Sequence, residues 1–135
     1  MEMGVMSGIP GDSGQTAVIL FGHGARDPEW ARPMQRVQER MVERRPGLAV
    51  ALAFMEFLSP NLDQAAENLV AGGASAIIVV PVFLAQGGHL KRDVPAWVEG
   101  LRQRYPACRI ELAGAVGEAP EVVSAMADYA LATLA

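Results

Sequence analysis

From Thr16 onward, short apolar runs rich in β-branched residues alternate with longer stretches whose apolar positions recur at helical spacing. That alternation predicts a parallel sheet wrapped by helices. The strands read Thr16–Phe21 (TAVILF), Leu48–Phe54 (LAVALAF), Ala76–Val80 (AIIVV) and Cys108–Ala113 (CRIELA). The first three are apolar throughout, as strands covered on both faces must be. The fourth alternates Cys108, Ile110 and Leu112 with Arg109 and Glu111, which predicts an edge position.

The intervening segments carry helix punctuation. Ser59-Pro60 can cap and start a helix whose Leu62, Ala65, Ala66, Leu69 and Val70 share one face, and Gly72-Gly73 can end it. Asp93 with Pro95 opens the next, burying Val94, Trp97, Val98 and Leu101. The last runs from Pro120 toward the C-terminus with Val122, Met126 and Tyr129 in register. In the first helix Trp30, Met34, Val37 and Met41 have helical spacing, but Pro33 would remove a backbone bond if the helix opened at Asp27-Pro28, so a kink or a late start is expected.

Composition narrows the class. A chain of 135 residues, 51% hydrophobic and 19% charged, describes one globular domain over 16–135 behind a flexible N-terminal tail, residues 1–15. At this length it can bury enough surface to fold without disulfides or a structural metal, in keeping with its single cysteine, Cys108. The net charge of −4 and the single lysine, Lys91, argue against a nucleic-acid partner. No apolar run approaches the roughly 20 residues of a membrane span, and the opening residues lack the pattern of a targeting segment. A cytoplasmic location is therefore expected.

The two histidines, His23 and His89, are expected in glycine-rich loops immediately after the first and third strands, as Phe21-Gly22-His23-Gly24 and Gln86-Gly87-Gly88-His89. In an open α/β sheet the ligand crevice forms at the carboxyl ends of the strands, where strand order reverses. With the order 2-1-3-4, strands one and three are neighbours there and the two imidazoles would face each other across one crevice. Strand two would deliver Glu56, a carboxylate among apolar neighbours that needs a cation or hydrogen-bond donors if buried. Two histidines and a carboxylate suit a borderline divalent ion such as Co²⁺, Fe²⁺, Ni²⁺ or Zn²⁺. Each residue also has an ordinary reading, a loop-bonding histidine or a satisfied strand-end carboxylate; it is their recurrence after successive strands that points to a site.

Other features point elsewhere. Gly22-His23-Gly24-Ala25-Arg26 before a helix could cradle a phosphate, but the GxGxxG and Walker spacings are absent. Arg32, Arg36, Arg40 and Arg44 form an i,i+4 row that could meet a polycarboxylate, or could be a solvated face pairing with Glu39 and Glu43. Cys108 lies within a strand and reads as core.

Three blocks carry a resemblance: VILFGHGARDP (Val18–Pro28), LAFMEFLSPNL (Leu52–Leu62) and VVPVFLAQGGHLKRDVP (Val79–Pro95). In order and spacing they resemble the short CbiX-type sirohydrochlorin chelatases, class II chelatases related to the SirB-type and protoporphyrin ferrochelatases. The resemblance implies a chelatase-like three-layer αβα fold with a four-stranded parallel sheet. It also implies ATP-independent insertion of Co²⁺ into sirohydrochlorin, in cobalamin biosynthesis, with no cofactor beyond the divalent metal substrate. Iron insertion toward siroheme and nickel insertion remain alternatives. By the same resemblance His23, Glu56 and His89 handle the metal, with His23 and His89 as its ligands. Long members hold two such halves, so a homodimer is expected. Ala25 and Met55 stand where serine and leucine are common in the family.

Metal insertion needs an ion held loosely enough to hand over, and two imidazoles, with or without one carboxylate, leave coordination positions open. Either histidine could also take a pyrrolic proton, imidazole being a suitable base near neutral pH. A flat polycarboxylate ring calls for an apolar slot, to which Phe83, Leu84 and Leu90 could contribute, and a cationic rim, for which Arg26, Lys91 and Arg92 are candidates. Gly87 and Gly88 could allow close backbone approach and unusual dihedrals beside the ring. A non-catalytic metal or tetrapyrrole carrier would share these residues, and a phosphate-ester enzyme would depend on the GHGAR segment alone.

Overall fold

The computed structural model describes residues 15–134. The expected tail therefore lies outside the described residues except for Gln15, which opens the first strand. The elements follow in the order β1 (Gln15–Gly22), α1 (Arg32–Arg44), β2 (Ala49–Phe54), α2 (Leu62–Ala71), β3 (Ala74–Pro81), α3 (Gly88–Arg104), β4 (Arg109–Leu112) and α4 (Pro120–Ala132), with 3-10 turns at Pro28–Ala31 and Val116–Glu118. The strands form one sheet of order β2-β1-β3-β4, every pair parallel. The α/β architecture and strand order are those expected from the sequence, and β4 is at an edge with Arg109 and Glu111 outward and Ile110 buried.

Period two divides β1 between the two faces of the sheet. Ala17, Ile19 and Phe21 join Ile77, Val79, Ile110 and the inward residues of α2 and α3 in the larger apolar cluster. Leu20 packs with Phe54, Ala31 and Met34 of the α1 side in a smaller one, where Val18, Val50, Leu52, Val80 and Val82 stay only half-buried. No charged or polar residue is buried among the described residues.

Two helix boundaries, those of α2 and α3, differ from the sequence expectation, while the late start expected of α1 is what the structure has. α1 starts late, at Arg32, with Pro33 in its first turn, where the missing amide costs no helical bond. α2 is capped by Asn61 in place of Ser59: the Asn61 side chain accepts from the Gln64 amide at 2.8 Å while the Gln64 side chain accepts from the Asn61 amide at 2.9 Å. This reciprocal box satisfies two amide donors at the start of the helix. α3 opens at Gly88, five residues before Asp93, with Lys91 N–H donating to the Gly87 carbonyl at 3.0 Å. Pro95 is therefore inside the helix; it and Lys91 are both exposed, so the Lys91 carbonyl it leaves unbonded can turn to water.

The last helix forms where expected but does not pack as an amphipathic core helix. α4 rests on the 3-10 turn preceding it and buries none of its residues, with Val123, Met126, Tyr129 and Leu131 all exposed. Among the described residues no helix is long and apolar enough to cross a membrane.

Candidate functional site

The carboxyl ends of β1 and β2 continue to pair after the strands end. Met55 N–H donates to the Gly22 carbonyl at 2.9 Å and Glu56 N–H to the His23 carbonyl at 3.1 Å. His23 and Glu56 are thus adjacent positions on one rim, and both side chains are exposed. Two glycines allow this. Gly24 has φ +84°, and a Cβ there would lie 1.9 Å from the Glu56 carbonyl oxygen; at Gly22 a Cβ would meet Met34 Sδ at 2.5 Å. Only glycine satisfies both the left-handed dihedral and the backbone approach at position 24.

β1 also pairs with β3 past its end, Val82 N–H donating to the Phe21 carbonyl at 2.7 Å. This brings Phe83 beside His23, ring centroids 4.5 Å apart at 46°. Phe83 is 4% exposed and also meets Phe21 edge-on at 6.1 Å. It supports the imidazole from the core side and does not line an open slot, because the β1–β3 pairing turns its ring inward. Leu84, by contrast, is 73% exposed. Its backbone is held by the Val116–Glu118 turn: Gly117 N–H donates to the Phe83 carbonyl at 2.8 Å, and a Cβ on Gly117 would lie 2.1 Å from the Leu84 oxygen.

His89 is exposed in the first turn of α3, not in a loop. Its direction is set by the helix that carries it, which starts just beyond the β3 end. Leu90 beside it is half-buried, and Lys91 and Arg92 are exposed. Gly87 and Gly88 do not have unusual dihedrals. Gly87 is the helix cap at φ −71°, Gly88 is its first residue, and a Cβ at either would meet nothing within 4 Å.

Two hollows flank the rim. One of about 410 Å³ on the α1 side is lined by His23, Gly24, Trp30, Met34 and Phe54 among others. The second, about 360 Å³, lies between α2 and α3 against Phe21, Met55, Leu62 and Trp97, with Asp63 and Arg104 at its edge forming an ion pair at 3.7 Å. His89 lines neither, so the two imidazoles stand at the ends of neighbouring strands without sharing a wall of these hollows. Among the described residues no three His, Cys, Asp or Glu side chains converge as a ready-made metal cage.

Sequence reasoning placed Trp30 in the apolar spacing of the first helix and gave neither it nor Phe57 a place at the site. Trp30 is 72% exposed and lines the hollow of His23. Phe57, directly after Glu56, is the one non-glycine residue among those described with a left-handed backbone, φ 70°. A bulky residue there is an outlier that costs about 1–3 kcal/mol. Leu58 N–H donates to the Glu56 carbonyl at 2.8 Å, closing a γ-turn around it, and Arg26 sits over its ring at 4.6 Å. The arginine row of α1 is a solvated face, with Arg40 paired to Glu43 at 3.4 Å and Arg32 to Glu29 at 3.2 Å.

These features can be set beside known proteins. The sirohydrochlorin cobaltochelatase of Methanococcus aeolicus is 42% identical over 79 residues, 58% of this chain and 55% of that protein; the chain thus matches about half the length of this curated relative. A Marinobacter aquaeolei protein solved under the CbiX name superimposes with a TM-score of 0.78 at 34% identity, covering 88% of this chain and 97% of that one. The sirohydrochlorin chelatase SirB from Bacillus subtilis, solved in complex with cobalt, gives 0.69 at 27% identity over 87% of this chain and half of its own. The family model described as CbiX matches residues 17–132. With the strand order, the rim and the GHG segment all inside that match, the chain belongs to the CbiX family.

Proposed function

We propose that this chain is a sirohydrochlorin cobaltochelatase, inserting Co²⁺ into the tetrapyrrole without ATP in the formation of cobalamin. The observation that carries the reading is the rim at the sheet's reversal point, where His23 and Glu56 are joined through their main chains at 3.1 Å and α3 delivers His89 from the neighbouring strand end. Family membership and the names of its relatives support it.

In this reading His23 and His89 bind the incoming ion, Glu56 assists, and one imidazole accepts a pyrrolic proton. All three side chains are exposed. Exposed ligands that are not fixed in a closed cage can exchange an ion with incoming nitrogens, whereas a complete tetrahedral site would retain it. Arg26, Lys91 and Arg92 are the proposed cationic rim for peripheral carboxylates, and Leu84 and Leu90 the apolar contacts.

A second copy of the chain is the proposed partner. The chain covers half of the SirB chain, so two copies have the length of one such relative. Each copy carries an exposed apolar α4 and a half-covered sheet face beside α1. Light scattering of the purified protein tests this: a mass near 28.6 kDa, twice the 14.3 kDa of one chain, supports it and a monomer removes it. The cytoplasm is the proposed compartment.

The decisive experiment incubates the protein with sirohydrochlorin and Co²⁺, Fe²⁺ or Ni²⁺ in parallel and follows the absorbance change. Fastest insertion with Co²⁺ supports the proposal, and a preference for Fe²⁺ reassigns the chain to siroheme formation. A rate no greater than the protein-free control with every metal leaves a carrier.

A further inference from the structure

The γ-turn after Glu56 holds an aromatic ring in solvent in a conformation that aromatic residues avoid. Phe57 has φ 70° and is 54% exposed, so hydrophobic burial does not account for its place there. Glycine would relax this dihedral, yet the position carries a large flat ring. The ring is also fixed from outside, with Arg26 over it at 4.6 Å. Arg26 pairs with no carboxylate among the described residues. A guanidinium held over a ring keeps in-plane N–H donors available for a carboxylate.

Both members of the pair are tied to the metal-handling rim. Arg26 follows His23 by three positions and Phe57 follows Glu56 directly. The two segments are locked by the Glu56–His23 backbone bond and by the approach of Gly24 to the Glu56 oxygen. A ligand engaging His23 and Glu56 therefore meets a flat apolar surface and a cation at fixed offset.

We infer that Phe57 and Arg26 form a platform for the tetrapyrrole, Phe57 stacking on the macrocycle and Arg26 binding one of its peripheral carboxylates. The inference rests on the proposed chelatase reading and adds to it a substrate-positioning residue, Phe57, whose strained backbone is retained for the ligand.

The test measures binding of metal-free sirohydrochlorin by absorbance titration, with the melting temperature and the separate KM values for sirohydrochlorin and Co²⁺. Phe57→Gly should raise the melting temperature, because the strained dihedral is relaxed, while weakening tetrapyrrole binding about tenfold or more. Phe57→Trp should restore binding, and Phe57→Leu, which keeps apolar bulk without a π face, should not. Arg26→Gln should raise KM for sirohydrochlorin and leave that for Co²⁺ unchanged. Wild-type binding and insertion with Phe57→Gly and Phe57→Leu within twofold of wild type would overturn the platform alone. Absence of sirohydrochlorin binding by the wild-type protein would overturn the platform and the chelatase reading together.

Discussion

The amide of Glu56 donates to the carbonyl of His23 at 3.1 Å, so the two residues are held in register by main-chain atoms while their side chains remain in solvent. Chemistry and architecture are separated at this point of the fold. Replacing either side chain leaves the bond that positions it.

His23→Ala and Glu56→Gln should therefore lose activity without losing the fold. For His23→Ala a fall of about 10²-fold or more in the insertion rate is expected, the scale of a lost proton acceptor or metal contact. Exposed sites away from core features change stability by only about 0.5 kcal/mol. Insertion kinetics alongside urea unfolding check both halves; a large stability loss with activity per folded molecule preserved would contradict the assignment.

His89→Ala should behave alike, since His89 stands in the exposed first turn of α3 and the helix is anchored by buried Val94, Val98 and Leu101. The His23→Ala/His89→Ala double variant should fall well short of the product of the single effects if both residues serve one ion. Full insertion activity in His89→Ala would remove it from the site.

The glycines give a contrast. Gly24→Ala places a Cβ 1.9 Å from the Glu56 oxygen at φ +84°, and a loss of about 2–4 kcal/mol is expected in denaturant unfolding, together with loss of activity. Gly87→Ala meets open space at φ −71° and loses only the N-cap preference for glycine over alanine, so stability should fall by about 0.5–1 kcal/mol. Equal effects at the two positions would contradict the geometry.

Asn61→Ala removes the reciprocal cap of α2 and should destabilise by about 1 kcal/mol, whereas Ser59→Ala should be close to neutral. Chemical unfolding of the two variants decides which residue caps the helix.

Much of this was legible in the sequence because strands flanked by helices are written as continuous apolar runs, even where one face is only half-buried. The apolar runs TAVILF and AIIVV fall within β1 and β3, and the alternation in CRIELA places β4 at an edge. Local polar signals were less decisive. Ser59-Pro60 has the chemistry of a cap, but Asn61 with Gln64 satisfies two donors, and Asp93 with Pro95 imitates a helix start inside a helix that the Gly87 cap had already begun. The positions of His23 and Glu56 at strand ends follow from sheet topology. The inward turn of Phe83 does not, because it arises from contacts between segments distant in the chain, and the contortion of Phe57 does not, because its γ-turn carries a residue type that leaves no left-handed signal in the sequence. α4 shows the same limit: its apolar spacing is plain, but what it packs against is not encoded locally.

Among the described residues the interior holds no charged side chain, while His23 and Glu56 carry theirs in solvent at the strand ends. Exchange of those two side chains can then alter what the rim prefers to bind, one position at a time, while the buried apolar core beneath keeps the fold.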